Sequence, residues 1–328
     1  MRPHLCFSIL SIIASNLAAQ QPGAILAVPY VGGSVTFNTG ATALTVAPAE
    51  IVQVEVTGVA ATDVSFASPP SAPFPLSLAG FSANVVQYDG GPALPVPLLD
   101  VAPSHNCRTA SFLNVPCGEV PILTVQMPAE LASYYAGELG GMTLSSLVVS
   151  FNGKPVASSS LNLLRDAVHI LSNCDPFTPP SQNAPGGPCI PVAVHADGTP
   201  LSRKPALSGE TIILYALGLG ATNPTVTAGA IPTGLAPTVT AYGLDFEFRP
   251  NRGGHLPPYP SGQRSGYLQP AYSGLTPGYP GLYQINITLP QAPPGLVACG
   301  SSDVLSNLTI TLIGITSYDA APICMAPR

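Results

Sequence analysis

Apolar and polar residues alternate along most of this chain, and most sharply from Tyr283 to Leu289. There Tyr283, Ile285, Ile287 and Leu289 interleave with Gln284, Asn286 and Thr288. A period of two sends successive side chains to opposite faces and predicts a half-buried strand. Pro290 ends it, because proline has no N–H to donate to a ladder. Gly274, Pro277, Gly278, Pro280 and Gly281 crowd the residues before it and predict a tightly turned loop.

Similar runs recur. Short strands are predicted at Ile25–Val28, Ser34–Phe37, Leu78–Val86, Leu98–Val101, Ile122–Met127, Leu147–Phe151, Ser160–Leu164, Val192–His195 and Leu308–Ile315. From Ile51, the residues Ile51, Gln53 and Glu55 oppose Val52, Val54 and Val56. Asn152–Gly153 marks a hairpin, and Asp89–Gly90–Gly91 and Asp197–Gly198 mark turns. Ala129–Tyr135 is the one stretch that suggests a helical turn. In Thr211–Gly220, Ile213, Tyr215, Leu217 and Leu219 share one face, and Ile212, Leu214 and Ala216 the other.

The second half restates the first. Ala49–Glu50 leads into IVQVEVTG, and Gly209–Glu210 leads into TIILYALGLG. ILTVQMP (122–128) parallels QINITLP (284–290). The repeat is about one domain long, so no solenoid is implied. The expected fold is all-β: two β-sandwich domains in tandem, covering 20–171 and 192–328. They are joined by a Pro-, Gly- and Asn-rich linker, 172–191.

Composition sharpens this picture. Hydrophobic residues make up 46% of the 328, enough for real cores, and charged residues only 8%. With 39 Pro and 32 Gly and no collagen period, the chain reads as short strands and punctuated turns. The net charge of −6 leaves no basic face for nucleic acid.

Residues 1–19 read as an export signal. Arg2 and His4 precede the apolar run Leu5–Ile13, with cleavage expected near Ala19. A retained anchor is the alternative, but a span needs about 20 apolar residues. No later run qualifies as a transmembrane helix. Export would deliver the chain to the periplasm, the cell surface or the medium, and remove Cys6. The other six cysteines then read as disulfides. Neighbour pairing is the simplest scheme: Cys107–Cys117, Cys174–Cys189 and Cys299–Cys324. Zinc is the other possibility, but no CxxC pair or ligand-spaced histidine is present.

Candidate chemistry is sparse. Acidic residues are too scattered for calcium, and no cofactor is expected. The histidines His105, His169, His195 and His255 accompany no G-x-S-x-G or HExxH motif. Triads do assemble from distant segments, so a hydrolase without a motif stays open. His169, in the apolar run Ala167–Leu171, reads as a satisfied strand residue. Asn286-Ile-Thr and Asn307-Leu-Thr match the glycosylation pattern but read as outward-facing strand residues.

Three segments together resemble a known family. They are Gly209–Glu210 with ILYALGLG (213–220), HADGT (195–199) and YSGLTPGYPGLYQINITLP (272–290). This resembles the secreted-protein C-terminal domain abundant in acidobacteria, the Solibacter C-terminal domain. That family is related to IPT/TIG modules of immunoglobulin-like (E-set) fold. APAEIVQVEVTG, LTVQMP and LVVSFNG are weaker echoes upstream. The resemblance spans most of 44–318. It implies a bacterial exported protein with paired immunoglobulin-like units, and no catalytic residues.

The chain departs from that pattern in its added cysteines and in an insertion at 249–269, RPNRGGHLPPYPSGQRSGYLQ. The insertion gathers Arg249, Arg252, His255 and Arg264 with Tyr259 and Tyr267, and Tyr272 and Tyr279 follow. Tyr and Arg are favoured at binding hot spots, and Tyr faces stack on sugars. These eight residues are therefore the candidate ligand-binding set, toward a glycan or an envelope protein. An ordinary proline-stiffened loop covering the sandwich end is the alternative. Three functions follow: a secreted or cell-surface binding module, a structural component of the envelope, or a motif-free hydrolase.

Overall fold

The computed structural model describes residues 23–27 (backbone), 44–69, 71–87, 90–104, 118–131, 145–175, 189–251, 268–299 and 304–326. The fold is all-β. The first half contributes β1 (Gly23–Ala27), β2 (Leu44–Val46), β3 (Ile51–Val56), β4 (Ser77–Leu78), β5 (Phe81–Val86), β6 (Leu94–Val96), β7 (Leu98–Pro103), β8 (Pro121–Gln126), β9 (Ser145–Phe151) and β10 (Lys154–Leu163). The second contributes β11 (His169–Ile170), β12 (Ala193–His195), β13 (Thr211–Leu217), β14 (Ala236–Pro237), β15 (Gly243–Asn251), β16 (Tyr272–Leu275), β17 (Tyr283–Thr288), β18 (Ser306–Ile313) and β19 (Tyr318–Ile323).

In the first half the strands run β4-β5-β9-β10-β1-β3-β8-β7, with β2 beside β10 and β6 beside β5. β1 joins the two layers. Its Gly23–Ala24 pairs parallel with β10 and its Ile25–Ala27 antiparallel with β3. Val52, Val54 and Val56 of β3 meet Phe81, Ala83 and Val85 of β5 and Leu147 and Val149 of β9 in one core. Asn152–Gly153 turns β9 into β10 with both residues at positive φ (49° and 77°), the conformation a two-residue hairpin needs.

In the second half, β11-β13-β17-β16-β14 form one sheet, with β12 also on β13, and β15-β18-β19 form another. Their facing residues, including Ile212, Leu214, Tyr283, Ile285, Ile287, Leu308, Ile310 and Leu312, share a single core. The alternation of β17 is obeyed throughout: Tyr283, Ile285 and Ile287 are buried, and Gln284, Asn286 and Thr288 are not.

The internal repeat is present atom for atom at one turn. In Ala47–Glu50 the glutamate N–H donates to the Ala47 carbonyl, and its carboxylate accepts the Ala47 N–H at 2.7 Å. In Leu207–Glu210, Glu210 does the same with Leu207, the carboxylate contact being 2.6 Å. The preceding residue has positive φ in both, Ala49 at 59° and Gly209 at 76°. The glutamate carbonyl then accepts from Met127 in one half and Leu289 in the other, each at 2.8 Å. The registers correspond as well, Ile51↔Gln126 on β3/β8 against Thr211↔Thr288 on β13/β17.

Several expectations need correction. Tyr272–Leu275, expected as loop, is strand β16. Gly274 permits this, because a Cβ there would lie 2.4 Å from the Ala236 carbonyl of β14. Arg249, expected to open the insertion, lies in β15, whose Leu244, Phe246 and Phe248 alternate with Asp245, Glu247 and Arg249. Glu55, expected on the polar face of β3, is fully buried and receives the Ser104 hydroxyl. Leu219 leaves the face of Leu217 and enters the core, because the chain turns at Gly218. Of the expected helix only Ala129–Leu131 is described, as a turn, and Ser34–Phe37 lies outside the described residues.

Gly218 is constrained twice. Its φ is +71°, and a Cβ would fall 2.1 Å from the Ala167 carbonyl oxygen. Gly218→Ala is therefore expected to cost upward of ~2 kcal/mol, read as a lowered urea midpoint at unchanged m-value.

Candidate functional site

The structure separates the described members of the tyrosine-arginine set. Arg249 is near the end of β15, its Nε 3.3 Å from Glu247 Oε1 on the same strand. That end pairs with the start of β18, Asn251↔Ser306. Tyr279 is well exposed in the β16–β17 turn, where its N–H donates to the Thr276 carbonyl. That turn lies beside Tyr283, whose hydroxyl reaches the Gly220 carbonyl at 2.5 Å. Tyr242, just before β15, donates similarly to Leu219 at 2.7 Å. The β13–β17 register thus puts Tyr279 at the Gly243 end of β15, and Arg249 is at the opposite end. Tyr272 bends its hydroxyl onto the Leu275 carbonyl at 3.2 Å, and burial raises its pKa. Arg252, His255, Tyr259, Arg264 and Tyr267 lie outside the described residues. The chain leaves at Asn251 and returns at Leu268, which bridges to Leu244.

Two of the expected disulfides are present: Cys174–Cys189 and Cys299–Cys324. Cys107 and Cys117 lie outside the described residues. Asn307 departs from its expected outward position. It is fully buried, donates to the Val297 and Met325 carbonyls at 2.7 and 2.8 Å, and accepts the Met325 N–H at 2.8 Å.

A buried ionic cluster was not legible as a site in the sequence. His169 on β11 is buried between two carboxylates, with Nε2 3.1 Å from Asp175 Oδ1 and Nδ1 3.4 Å from Asp319 Oδ2. Burial opposes its charge, but the hydrogen bonds and negative charges of Asp175 and Asp319 prevail and raise its pKa to about 9. Asp175 is fully buried and also accepts the Ser172 N–H and hydroxyl. Asp319 also accepts the Ile170 N–H at 2.8 Å. The trio therefore joins the linker, β11 and β19. β11 precedes the linker, yet it pairs with β13.

Glu50 faces this trio from the first half. It is buried, and a Cβ on Gly218 would sit 3.4 Å from its carboxyl carbon. Burial raises its pKa to about 8, against the opposing effects of the Ala47 N–H and the His169 charge. Around it the halves make direct contact. Gln126 donates to Ala49 at 3.1 Å and accepts the Gly229 N–H at 2.6 Å, and Phe74 donates to Gly229 at 3.0 Å. Ile51 and Leu99 pack with Leu171, Leu217, Tyr215, Val192 and Leu282. The repeat-equivalent end of the second half is polar instead: Thr211 and Thr288 replace Ile51 and Gln126 and bond to each other at 3.1 Å.

This cluster suits fastening more than chemistry. A general base needs an available ring nitrogen, and both nitrogens of His169 are engaged. So are those of His195, on Glu210 at 3.0 Å and the Lys204 carbonyl at 3.2 Å. The Asp197 carboxylate is taken by the Thr199 N–H of its own turn, which lowers its pKa. Among the described residues no group of three His, Cys, Asp or Glu is arranged to hold a metal ion, and no helix is long and apolar enough to cross a membrane.

No family model matches the chain, and no curated protein matches it. The family resemblance therefore rests on its own motifs. Among solved structures the chain is similar to FdeC, described as a broadly conserved Escherichia coli adhesin, at 12% identity and a TM-score of 0.21. That match covers 86% of this chain and 62% of the other, so the chain spans less than two thirds of that structure's length. It is also similar to a chain named BspA_C_mut, at 10% identity and a TM-score of 0.15 over 94% of this chain and 99% of that one. Scores this low carry no argument about fold or function. The all-β architecture stands on its sheets, and the two disulfides favour an oxidising compartment.

Proposed function

We propose that the protein is an exported, non-catalytic binding module of paired immunoglobulin-like units, akin to the acidobacterial secreted domains its motifs resemble. Its ligand, a glycan or a protein of the cell surface, is met by the segment between β15 and β16. The observation that carries this reading is the contrast between that segment and its support. Residues 249–269 hold three of the chain's ten cations and two tyrosines, and they spring from strands packed into a rigid core. Loops on rigid scaffolds are where binding residues concentrate. The engaged histidines favour a non-catalytic role.

Replacing 252–267 by a short turn, which spares β15, is expected to weaken saturable binding on a polysaccharide and glycan array at least about tenfold, the loss of one hot-spot side chain. Binding that survives the excision would sink the reading, and so would absence of glycan binding in both proteins together with no surface protein whose co-purification the excision abolishes.

A structural spacer of the envelope is the second reading. The junction of Gln126, Glu50 and the Ile51 cluster favours it, because a fixed angle between units is what a spacer needs. Co-purification of envelope proteins with wild-type and excised protein alike, without glycan binding, would select it.

A further inference from the structure

We propose that the Cys174–Cys189 disulfide is the catch of a redox-conditional clasp. While oxidised it holds Asp175 against His169, and its reduction by a dithiol frees that carboxylate and loosens residues 172–175 without unfolding either half. The inference is independent of the ligand.

Asp175 follows Cys174 directly. It is fully buried and reaches His169 Nε2 at 3.1 Å. Among the described residues the short segment carrying it is also tied by Asn173 to Ile190 in both directions (2.9 and 2.6 Å), by the Ser172–Pro191 bridge, by Val192 to Leu171 (2.7 Å) and by the Ser172–Asp175 turn. No apolar side chain of residues 172–175 belongs to a core. The disulfide closes this segment on itself, and cross-linking restricts the freedom of the open form. Opening it removes the covalent cross-link that, with the Ser172 and His169 contacts, holds the buried carboxylate in place.

The groups facing His169 are Asp175 from the linker, Asp319 from β19 and Glu50 from the turn before β3, with Tyr283 of β17 next to Glu50. Losing Asp175 removes one of the two carboxylates that contact the imidazolium among the described residues. The exchange is balanced. An attacking dithiol transfers two electrons, the Cys174–Cys189 bond breaks, two thiols form, and the reductant closes to its own cyclic disulfide.

The test is proton NMR titration of the His169 imidazole in the mature, oxidised full chain, alongside amide exchange at Asn173 and Ile190. Cys174→Ser/Cys189→Ser is compared with Cys299→Ser/Cys324→Ser, which removes the disulfide just past the end of β19 away from Asp319. In the first variant the His169 midpoint is expected to fall by about one unit or more. The two amides are expected to exchange at least about tenfold faster. In the second variant both should stay at wild-type values. An unchanged His169 midpoint in the first variant, or an equal fall in both, overturns the proposal. So does global loss of the near-ultraviolet signal when the wild-type disulfide is reduced under native conditions. If the first variant does not fold, that native reduction, with alkylation to identify the opened disulfide, supplies the same two readouts. Asp175→Asn should then reproduce the fall in midpoint with the disulfide intact, and failure to do so also overturns the proposal.

Discussion

Replacing His169 by alanine is expected to destabilise the protein by about 3–5 kcal/mol near neutral pH, the cost of removing one partner of a buried ion pair. The imidazolium is ion-paired with the fully buried Asp175, and it also contacts Asp319. Alanine takes the imidazolium away from the buried Asp175 carboxylate and opens a cavity where β11, β19 and residue 175 meet. The pH dependence separates this from a simple packing loss. The folded-state pKa of His169 is raised from 6.5 to about 9. Its stabilisation is therefore complete below 6.5 and is lost as pH rises through 9. The gap between wild type and variant should be widest at pH 6 and narrow toward pH 10, in urea melts across that range. A gap independent of pH would mean that His169 is held neutral.

Glu50→Gln is expected to act in the opposite direction. Glu50 is raised from 4.5 to about 8, chiefly by burial. A raised group contributes its stability below the unfolded pKa and loses it as pH climbs through the folded one. Wild-type protein should thus lose stability between pH 4.5 and 8, at up to about 1.4 kcal/mol per pH unit. Glutamine keeps the oxygen that accepts the Ala47 N–H and has no proton to lose. The variant should match wild type near pH 4.5 and exceed it by about 3–5 kcal/mol at pH 8–9. Both groups incline the same way, so the intact protein is expected to melt highest on the acid side of neutrality. A Glu50→Gln profile parallel to wild type would refute the assignment of a protonated Glu50 at the junction.

Much of the scaffold was legible because strands announce themselves locally. Tyr283–Thr288 needed only its alternation, and Asn152–Gly153 only its turn chemistry. The repeat could be read as two similar strings, and the structure shows them as the same glutamate turn and the same strand pair. Tyr272–Leu275 was missed because glycine there signals a turn. Its actual use is to admit the Ala236 carbonyl of a neighbouring strand, which no local pattern encodes. Gly243–Asn251 carries the alternation but is absent from the predicted strands, and the insertion expected from Arg249 begins inside what is strand β15.

The candidate site divides along the same line. Arg249 and Tyr279 are 30 positions apart in sequence and belong to opposite ends of the second half, so their shared composition was no guide to proximity. His169 was read as a satisfied strand residue, and it is one. Its partners, 6 and 150 residues away, had no reason to be linked to it beforehand.

By itself the sequence determined an all-β chain and an internal repeat, and it offered neighbour pairing as the simplest cysteine scheme, which the Cys174–Cys189 and Cys299–Cys324 disulfides follow. Each of these follows from periodicity or from neighbours along the chain. Only the tertiary structure decided that Glu50 and Glu210, identical in their turns, have different fates. One is sealed at the junction by Ile51, Gln126 and the second half, and the other stays near solvent with His195. The reason is physical: a carboxyl's charge is set by the solvent and dipoles that packing leaves around it, and packing is fixed by residues far away in the chain.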